Sequence, residues 1–445
     1  MRTLTVSLLG LGLALPAHAE DLLTVYQAAV ENDPLIREAL AERNALREAR
    51  PQSLAGLLPG LEARGSREDT TRDGTQISLL PDNSLALVDF ASDTEVTAYS
   101  LVLSQPIFRW DRWVALRQAG DRVAQAEINY EAARQQLIVR VAERYFNVLA
   151  AQDNLDFAAA NKEAISRQLD QARRRFEVGL IAITDVQEAQ AAYDTAVADE
   201  IAATRQLAAA REQLREITGD YYRNLAGPAT DLALTPPEPA NENAWVERAL
   251  TDNLTLNAQR LSVDIARKEI GRVRAGHYPT IDLNASRGRR EATGSNPFDT
   301  SNVDTEFLSL NVVVPIFSGG ATQSRVRESA YRHEASKSAL EREARATERT
   351  ARDAYLGVQS DISRVRALRQ ALESNATALQ ATEAGFEVGT RTTVDVLNAR
   401  SLTFRARNEL ARSRYDYLLN TLRLKQAAGA LTERDVQQVN ALLED

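Results

Sequence analysis

A block of fourteen residues that occurs twice constrains the fold of this chain more than any other feature. Phe176–Ala189 reads FEVGLIAITDVQEA, and Phe386–Ala399 reads FEVGTRTTVDVLNA. The two blocks start 386 − 176 = 210 residues apart. Solenoid repeats recur at about 20–50 residues, so a period of this size indicates one large unit that is present twice.

Two shorter matches precede the blocks in the same order. Gln105–Phe108 (QPIF) pairs with Val314–Phe317 (VPIF) at 314 − 105 = 209 residues, and Pro59–Arg64 pairs with Pro279–Asn284 at 279 − 59 = 220 residues. The order is kept while the offset drifts, so we expect a duplicated unit with a longer loop in the first copy.

The N-terminus has the pattern of a secretory signal peptide. Arg2 precedes an apolar run over residues 4–15, and residues 17–19 (AHA) form a small-residue cleavage site. The run is shorter than the ~20 apolar residues that span a bilayer. We expect residues 1–19 to be removed and the mature chain, beginning at Glu20, to leave the cytoplasm. A buried N-terminal helix is the alternative.

Composition excludes several classes of function. Cysteine is absent, which excludes disulfides, thiolate metal sites, catalytic thiols and a lipid-modified N-terminal cysteine. A formal net charge of −9 argues against a nucleic-acid partner. His277 and His333 do not have metal-ligand spacing, and no phosphate loop, HExxH or GxSxG motif occurs. The sequence therefore predicts no enzyme, no metal and no cofactor.

Two long stretches without proline, after Pro106 and after Pro315, are predicted to be helical over residues 110–217 and 319–428. Sixty-seven helical residues would measure about 100 Å. Apolar residues at alternating spacings of three and four predict a coiled-coil seam in the first stretch, after which the register slips by one. The seam comprises Leu116, Ala119, Val123, Ala126, Tyr130, Ala133 and Leu137, followed by Val141, Tyr145 and Val148.

A proline-rich connector, residues 228–241, separates the two copies. We interpret residues 20–227 as a first repeat and residues 242–445 as a second. Each begins with a helical stretch, at about residues 22–54 and 244–273.

Strand-like segments with alternating apolar and polar residues follow those helices in each repeat. We predict strands at about residues 57–67 and 95–106, and again at 278–290 and 305–315. The intervening residues, about 68–94 and 288–304, are rich in Asp, Asn, Ser, Thr and Gly and are predicted to be loops.

Four such strands suit a transmembrane β-barrel but cannot close one, because open edges in hydrocarbon leave unpaired backbone groups. Other copies of the chain would have to pair with these edges, eight strands arising from two copies and twelve from three. A soluble sheet packed on helices is the alternative. Trp110 and Trp113 suit a membrane–water interface, although a core position would suit them equally.

The repeated motifs resemble those of TolC-type outer-membrane efflux proteins, the outer membrane factor family, over essentially the whole mature chain. The matching motifs are the two FEVG blocks, Leu214–Gly219 (LREITG), Pro315–Gly320 (PIFSGG) and Tyr415–Leu418 (YDYL). The resemblance implies a mainly α protein with a β-barrel part. Four strands per chain would form a twelve-stranded barrel in a homotrimer, continued by a long coiled-coil tunnel across the periplasm.

The resemblance also implies an outer-membrane exit duct for efflux or type I secretion in a Gram-negative bacterium. Its partners would be outer-membrane lipid, a periplasmic adaptor and an inner-membrane pump of the RND, ABC or MFS type. The competing hypothesis is a periplasmic coiled-coil structural or adaptor protein without a barrel, which the predicted strand pairs argue against.

Several residues near the repeated blocks are candidates for a periplasmic gate. From the residues alone, Asp185, Glu188 and Asp395 are first-turn carboxylates that favour a helix dipole, and Thr184 with Gln187 fits a capping box. The resemblance implies more: Asp395 lines the narrowest part of the pore. Thr184, Asp185 and Arg391 would hold neighbouring coiled coils together.

Two candidate gate residues depart from the pattern of well-known family members. Phe386 replaces a tyrosine, which removes a hydroxyl hydrogen bond, and Asn398 replaces a second aspartate. A trimer would therefore carry −3 from Asp395 at the constriction instead of −6. Both departures imply fewer polar contacts in the closed state and a weaker block by cations.

The glycine turns at the centre of the blocks would be adaptor-facing tips by the same resemblance. They comprise Val178, Gly179 and Leu180 in the first repeat and Val388, Gly389 and Thr390 in the second. A helix–helix turn that requires the permissive glycine backbone is the simpler interpretation.

Overall fold

The computed structural model describes residues 19–229, 231–295 and 300–444, so residues 1–18 of the predicted signal peptide lie outside the described part. The chain forms two compact units. The helical unit comprises the described parts of Met1–Ala41, Ile128–Asn257 and Arg342–Asp445, and the sheet unit comprises Glu42–Glu127 and Ala258–Glu341. Each unit takes segments from both repeats, so the repeats are not separate compact domains.

The described elements follow one plan twice along the chain. In order they are α1 (Leu22–Asn32), α2 (Pro34–Arg47), α3 (Ala49–Ala55), β1 (Gly60–Leu79), β2 (Leu85–Phe108), α4 (Trp110–Glu177), α5 (Ile183–Thr218), β3 (Gly227–Pro228), α6 (Glu242–Asp252), α7 (Leu254–Arg274), a short 3₁₀ turn (Ala275–His277), β4 (Thr280–Gly294), β5 (Ser301–Val313), α8 (Ala321–Glu387), α9 (Thr393–Ala427), α10 (Glu433–Asn440) and β6 (Leu443–Glu444).

The helices confirm the duplication. α4 and α8 contain 68 and 67 residues, and α5 and α9 contain 36 and 35 residues. Residues of the predicted seam, including Ala119, Leu137 and Tyr145, are almost completely buried. Among the helices of the described residues, none combines the length and apolar composition that a membrane-crossing helix needs.

The predicted N-terminal helical stretches are each interrupted, and the interruptions are equivalent. Asp33 separates α1 from α2 and Asn253 separates α6 from α7, at 253 − 33 = 220 residues. The Asp33 carboxylate accepts a hydrogen bond from the Leu35 amide at 2.8 Å, and the Asn253 side chain accepts one from the Leu256 amide at 3.0 Å. Short polar side chains that bond the backbone in this way restart a helix, and Pro34 adds its own restriction on Asp33.

The four long strands form one antiparallel sheet in the order β1-β2-β4-β5, so β1 and β5 are its edges. One apolar row crosses all four strands, because Leu61 pairs with Leu103, Leu103 with Ala285, and Ala285 with Leu308. Most of the large apolar side chains of this face are exposed, including Leu61, Leu101, Leu308 and Leu310. β3 and β6 form a separate two-stranded pairing in the helical unit.

The strands extend far beyond their predicted ends, and the predicted loop at residues 68–94 is wrong. β1 pairs continuously with β2 from Gly60–Ser104 to Leu79–Leu85, and the reversal is confined to residues 80–84, where Asn83 has φ +67°. β4 and β5 likewise shorten the predicted loop at residues 288–304. Side-chain polarity misled the prediction, because backbone hydrogen bonds sustain a two-stranded hairpin whose faces are both exposed to water.

The apolar core of the helical unit contains residues from both repeats. Tyr145 is fully buried, and its hydroxyl donates to the Ala226 carbonyl at 2.7 Å. Leu214, Leu418 and Leu422 belong to the same buried cluster. The core thus joins the first and second repeats directly.

Among the described glycines of the helical unit, Gly429 has the most crowded surroundings. It has φ +68°, and an added Cβ would lie 2.3 Å from the Asp252 carbonyl oxygen and 2.5 Å from its carbon. We expect Gly429→Ala to destabilise the unit by about 2–4 kcal/mol, because both the left-handed backbone and the contact oppose a side chain.

A thermal melt followed by far-UV circular dichroism would measure this effect. Gly120→Ala is the matched control, because Gly120 lies in α4 with open space around it and alanine favours helices. An equal melting temperature for Gly429→Ala and the unaltered protein would contradict the prediction.

Candidate functional site

The turn between α4 and α5 forms the first hairpin tip, residues 178–182. Gly179 has φ +72° and its amide donates to the Phe176 carbonyl at 2.9 Å, while the Leu180 amide donates to the Arg175 carbonyl at 2.9 Å. This pattern closes a helix C-terminus on a left-handed glycine. Val178 and Leu180 are 69% and 74% exposed. The helix–helix turn is confirmed, and adaptor contact stays a prediction.

The start of α5 differs from the predicted capping box at Thr184 and Gln187, which is wrong. α5 begins at Ile183, and Ala182 is its N-cap residue. The Asp185 carboxylate accepts a hydrogen bond from the Ala182 amide at 3.3 Å. Alanine has no side-chain acceptor, so only half of a capping box forms here. Thr184 lies exposed in the first turn.

The turn between α8 and α9 forms the second hairpin tip, residues 388–392. Gly389 has φ +78°. The Thr390 amide and hydroxyl both donate to the Gly385 carbonyl, at 2.9 and 3.0 Å. Val388 is 75% exposed, so this tip presents an apolar side chain to water as the first tip does.

A complete capping box fixes Asp395 at the start of α9. The Asp395 carboxylate accepts hydrogen bonds from the Thr392 amide at 2.9 Å and from its hydroxyl at 3.0 Å. The Asp395 amide lies 3.2 Å from the same hydroxyl oxygen. Hydrogen bonds from the Thr392 backbone and side chain, with the charge of Arg391, lower the pKa of Asp395. Asp395 is therefore a charged carboxylate in a fixed position.

Asn398 lies one helical turn beyond Asp395 and is exposed. Residues three apart are neighbours on a helix surface, so an acidic side chain at position 398 would extend the charge of Asp395. The Arg391 side chain is also exposed, and among the described residues its guanidinium has no hydrogen bond or ion pair.

Phe386 joins the two tips through a contact that the sequence analysis missed. The Arg175 guanidinium lies over the Phe386 ring, 4.5 Å from its centroid. This is a cation–π geometry. The two residues are 386 − 175 = 211 positions apart, and no local pattern in the sequence connects them.

Each hairpin is also held together internally below its tip. In the first, Leu169, Ala172, Val186 and Ala189 form a small buried cluster. In the second, the Arg400 guanidinium forms an ion pair with Glu383 at 2.5 Å. Both α-helical pairs therefore pack along their own seams near the tips.

Polar contacts connect the two hairpins farther from the tips. The Tyr415 hydroxyl donates to the Asp153 carboxylate at 2.6 Å, and the Asn408 amide group donates to Asn154 at 2.7 Å. Burial raises the pKa of Asp153, and the Tyr415 hydrogen bond opposes that shift. This network anchors the hairpins to each other within the helical unit.

Trp110 and Trp113 lie in the sheet unit, in the first turn of α4 directly after β2. Trp113 is 46% exposed, and the Arg117 guanidinium lies 5.7 Å from the Trp110 ring. The exposed Trp113 fits an interface position, which remains a prediction. Across residues 19–229, 231–295 and 300–444, no group of three or more His, Cys, Asp or Glu side chains could hold a metal ion.

Known proteins share both the sequence and the fold. The outer membrane efflux protein family matches residues 25–220 and again residues 245–430. Outer membrane protein TolC of Escherichia coli K12 is 38% identical over 459 residues, covering 100% of this chain and 90% of the relative. Alkaline protease secretion protein AprF of Pseudomonas aeruginosa is 33% identical over 448 residues, covering 99% of this chain and 92% of the relative.

The solved Campylobacter jejuni CmeC outer membrane channel shares the fold at a TM-score of 0.76 and 14% identity, covering 100% of this chain and 98% of that one. The two family matches lie within the two predicted repeats. The chain therefore belongs to the outer membrane efflux protein family, and it is an exit duct of the outer membrane.

Proposed function

We propose that three copies of this chain form a twelve-stranded barrel in the outer membrane, continued by an α-helical tunnel in the periplasm. The observation that carries the proposal is a four-stranded sheet with two unpaired edges, β1 and β5, and an exposed apolar face. Three sheets joined edge to edge give 3 × 4 = 12 strands and leave no edge open. β4 and β5, with 15 and 13 residues, exceed the ~9–11 residues that span a bilayer.

The duct would serve tripartite efflux, type I secretion, or both. Its relatives include TolC and a protease secretion protein, which support both uses. A periplasmic adaptor would bind the two exposed hairpin tips, and an inner-membrane pump of the RND, ABC or MFS type would supply the substrate. Transport through such a duct is passive, and the chain would need no catalytic residue.

The periplasmic gate would consist of the predicted residues Thr184, Asp185, Phe386, Arg391, Asp395 and Asn398. Three features support it: the fixed Asp395 carboxylate, the exposed Arg391 guanidinium, which forms no hydrogen bond or ion pair among the described residues, and the exposed Thr184. In a trimer, Arg391 would bond polar groups near Thr184 and Asp185 of a neighbouring subunit.

Two adjacent positions of β5 test the membrane assignment. Leu310 belongs to the exposed apolar face, and Asn311 belongs to the opposite face. We expect Leu310→Arg to reduce the amount of trimer in outer membranes strongly, because a lipid-facing arginine costs about 2–4 kcal/mol in each subunit. Asn311→Arg, the matched control, should leave the trimer intact.

The amount of trimer can be measured on semi-native gels of extracted outer membranes. Equal loss of trimer in both variants would point to general damage of β5, and no loss in either variant would contradict a lipid-facing sheet. The latter result would favour the periplasmic coiled-coil protein without a barrel.

A further inference from the structure

We propose that Arg175 is a positioning residue of the gate: stacked on Phe386, it ties the two hairpin tips of one subunit together so that they move as one body. The proposal rests on the gating role proposed above. The contact between Arg175 and Phe386 lies within a single chain. It therefore differs from the predicted bonds of Arg391, which would join neighbouring coiled coils.

The backbone holds both partners in place. The Arg175 carbonyl accepts the Leu180 amide at 2.9 Å, and the Phe386 carbonyl accepts the Gly389 amide at 3.2 Å. Each residue thus belongs to the closed turn at the end of its helix. Both side chains are half-buried, which reduces the competition from water.

The guanidinium has no competing partner in the described part of the chain. The neighbouring Arg173 is engaged elsewhere, because its guanidinium donates to the Gln190 side chain at 2.7 Å. Arg175 has no ion pair or side-chain hydrogen bond among the described residues, and the Phe386 ring is its partner.

The two copies of the repeat differ at the position of Arg175. Position 175 corresponds to position 385 in the second copy, since 385 − 175 = 210, and the residue there is Gly385. A Cβ at Gly385 would lie 2.8 Å from Cγ of Arg391, so the second tip has no room for a side chain unless Arg391 moves. An arginine of the first tip therefore stacks on an aromatic ring of the second tip, and the second tip has no arginine at the equivalent position that could form the reverse contact.

The next polar link between the hairpins lies far from the tips. Among the hydrogen bonds and ion pairs of the described residues, the next link toward the start of α4 is the hydrogen bond between Asn154 and Asn408. The separation from Arg175 is 175 − 154 = 21 residues, or about 32 Å of helix. Among the hydrogen bonds, ion pairs and ring contacts of the described residues, the Arg175–Phe386 pair is the link between the hairpins over that length, so its loss should loosen the tip ends.

A double-mutant cycle tests the contact by single-channel recording in planar bilayers. We expect Arg175→Gln and Phe386→Leu each to raise the open fraction by about two- to fivefold, the size of one partly exposed cation–π contact. The double variant should match the single variants, because both remove the same interaction. Phe386→Trp should lower the open fraction, since tryptophan is the strongest cation–π partner. Additive single effects, or no effect of Arg175→Gln, would overturn the proposal.

A second measurement works even if the variants alter assembly. Because the natural chain has no cysteine, Arg175→Cys with Phe386→Cys gives the only thiol pair. A short bismaleimide should join the two thiols within one chain, and denaturing gels should show a monomer with both thiols blocked. A crosslinked dimer, or two free thiols, would overturn the proposal. Absence of channels in bilayers with the crosslink formed would instead count against the proposed duct.

Discussion

Arg391→Ser raises single-channel conductance and admits large antibiotics into cells, while the amount of trimer stays the same. This is the expected result because the Arg391 guanidinium is exposed in the second hairpin tip and, among the described residues, forms no hydrogen bond or ion pair that would hold it within its own chain. An exposed ion pair contributes only about 0–1 kcal/mol. Three symmetric copies would together shift the closed–open equilibrium by about 1–3 kcal/mol, or roughly 5- to 150-fold.

Two control variants separate the arginine geometry from its charge. Arg391→Lys keeps the charge but loses the planar fork of donors, so we expect an intermediate conductance. Arg405→Ser removes an exposed arginine elsewhere on α9 and should leave the conductance unchanged. If correctly assembled Arg391→Ser trimers conduct as the unaltered protein does, the closed state depends instead on packing around Phe386.

Asp395→Asn abolishes block by a trivalent cation, and Asn398→Asp strengthens it by roughly tenfold or more. In a trimer the first change takes the constriction from −3 to 0, and the second takes it from −3 to −6. Asparagine keeps an acceptor for the Thr392 amide, so Asp395→Asn tests the charge with little change of the cap. Thr392→Val is the reciprocal control, because it removes the hydroxyl and leaves the carboxylate in place.

The loss of block with falling pH should depend on Arg391. Within one subunit, hydrogen bonds from Thr392 and the charge of Arg391 lower the pKa of Asp395, whereas the like charges of the other two subunits in the proposed trimer would raise it. We therefore expect Arg391→Ser to lose the block at a higher pH than the unaltered protein does. Equal half-blocking concentrations in all variants would show that the cation binds elsewhere.

The duplication could be predicted from the sequence because the two copies share identical residues at equivalent positions. The FEVG blocks located both tips, and the absence of proline located the four long helices to within a few residues. Proline and glycine act locally on the backbone, so their positions predict helix ends well. The break at Asp33 was missed although Pro34 marks it, and the break at Asn253 has no neighbouring proline or glycine to mark it.

Most of the extended β1–β2 hairpin and the Arg175–Phe386 contact could not be predicted, for two physical reasons. Residues 68–76 carry polar side chains, so the backbone pairing that makes them a strand leaves no trace in an apolar pattern, whereas the alternating Ile77, Leu79, Leu85 and Leu87 beside the turn were a signal that was overlooked. Arg175 and Phe386 meet only after both hairpins have formed. The cap at Ala182 was missed because alanine has no side-chain acceptor that marks a helix start.

The mass of the purified protein in detergent tests the central proposal most directly. Multi-angle light scattering, corrected for bound detergent, should give three times the mass of the mature chain, and planar bilayers should then show channels of a single conductance class. A stable monomer with folded helices and no channel activity would contradict the account, because β1 and β5 would then remain unpaired edges.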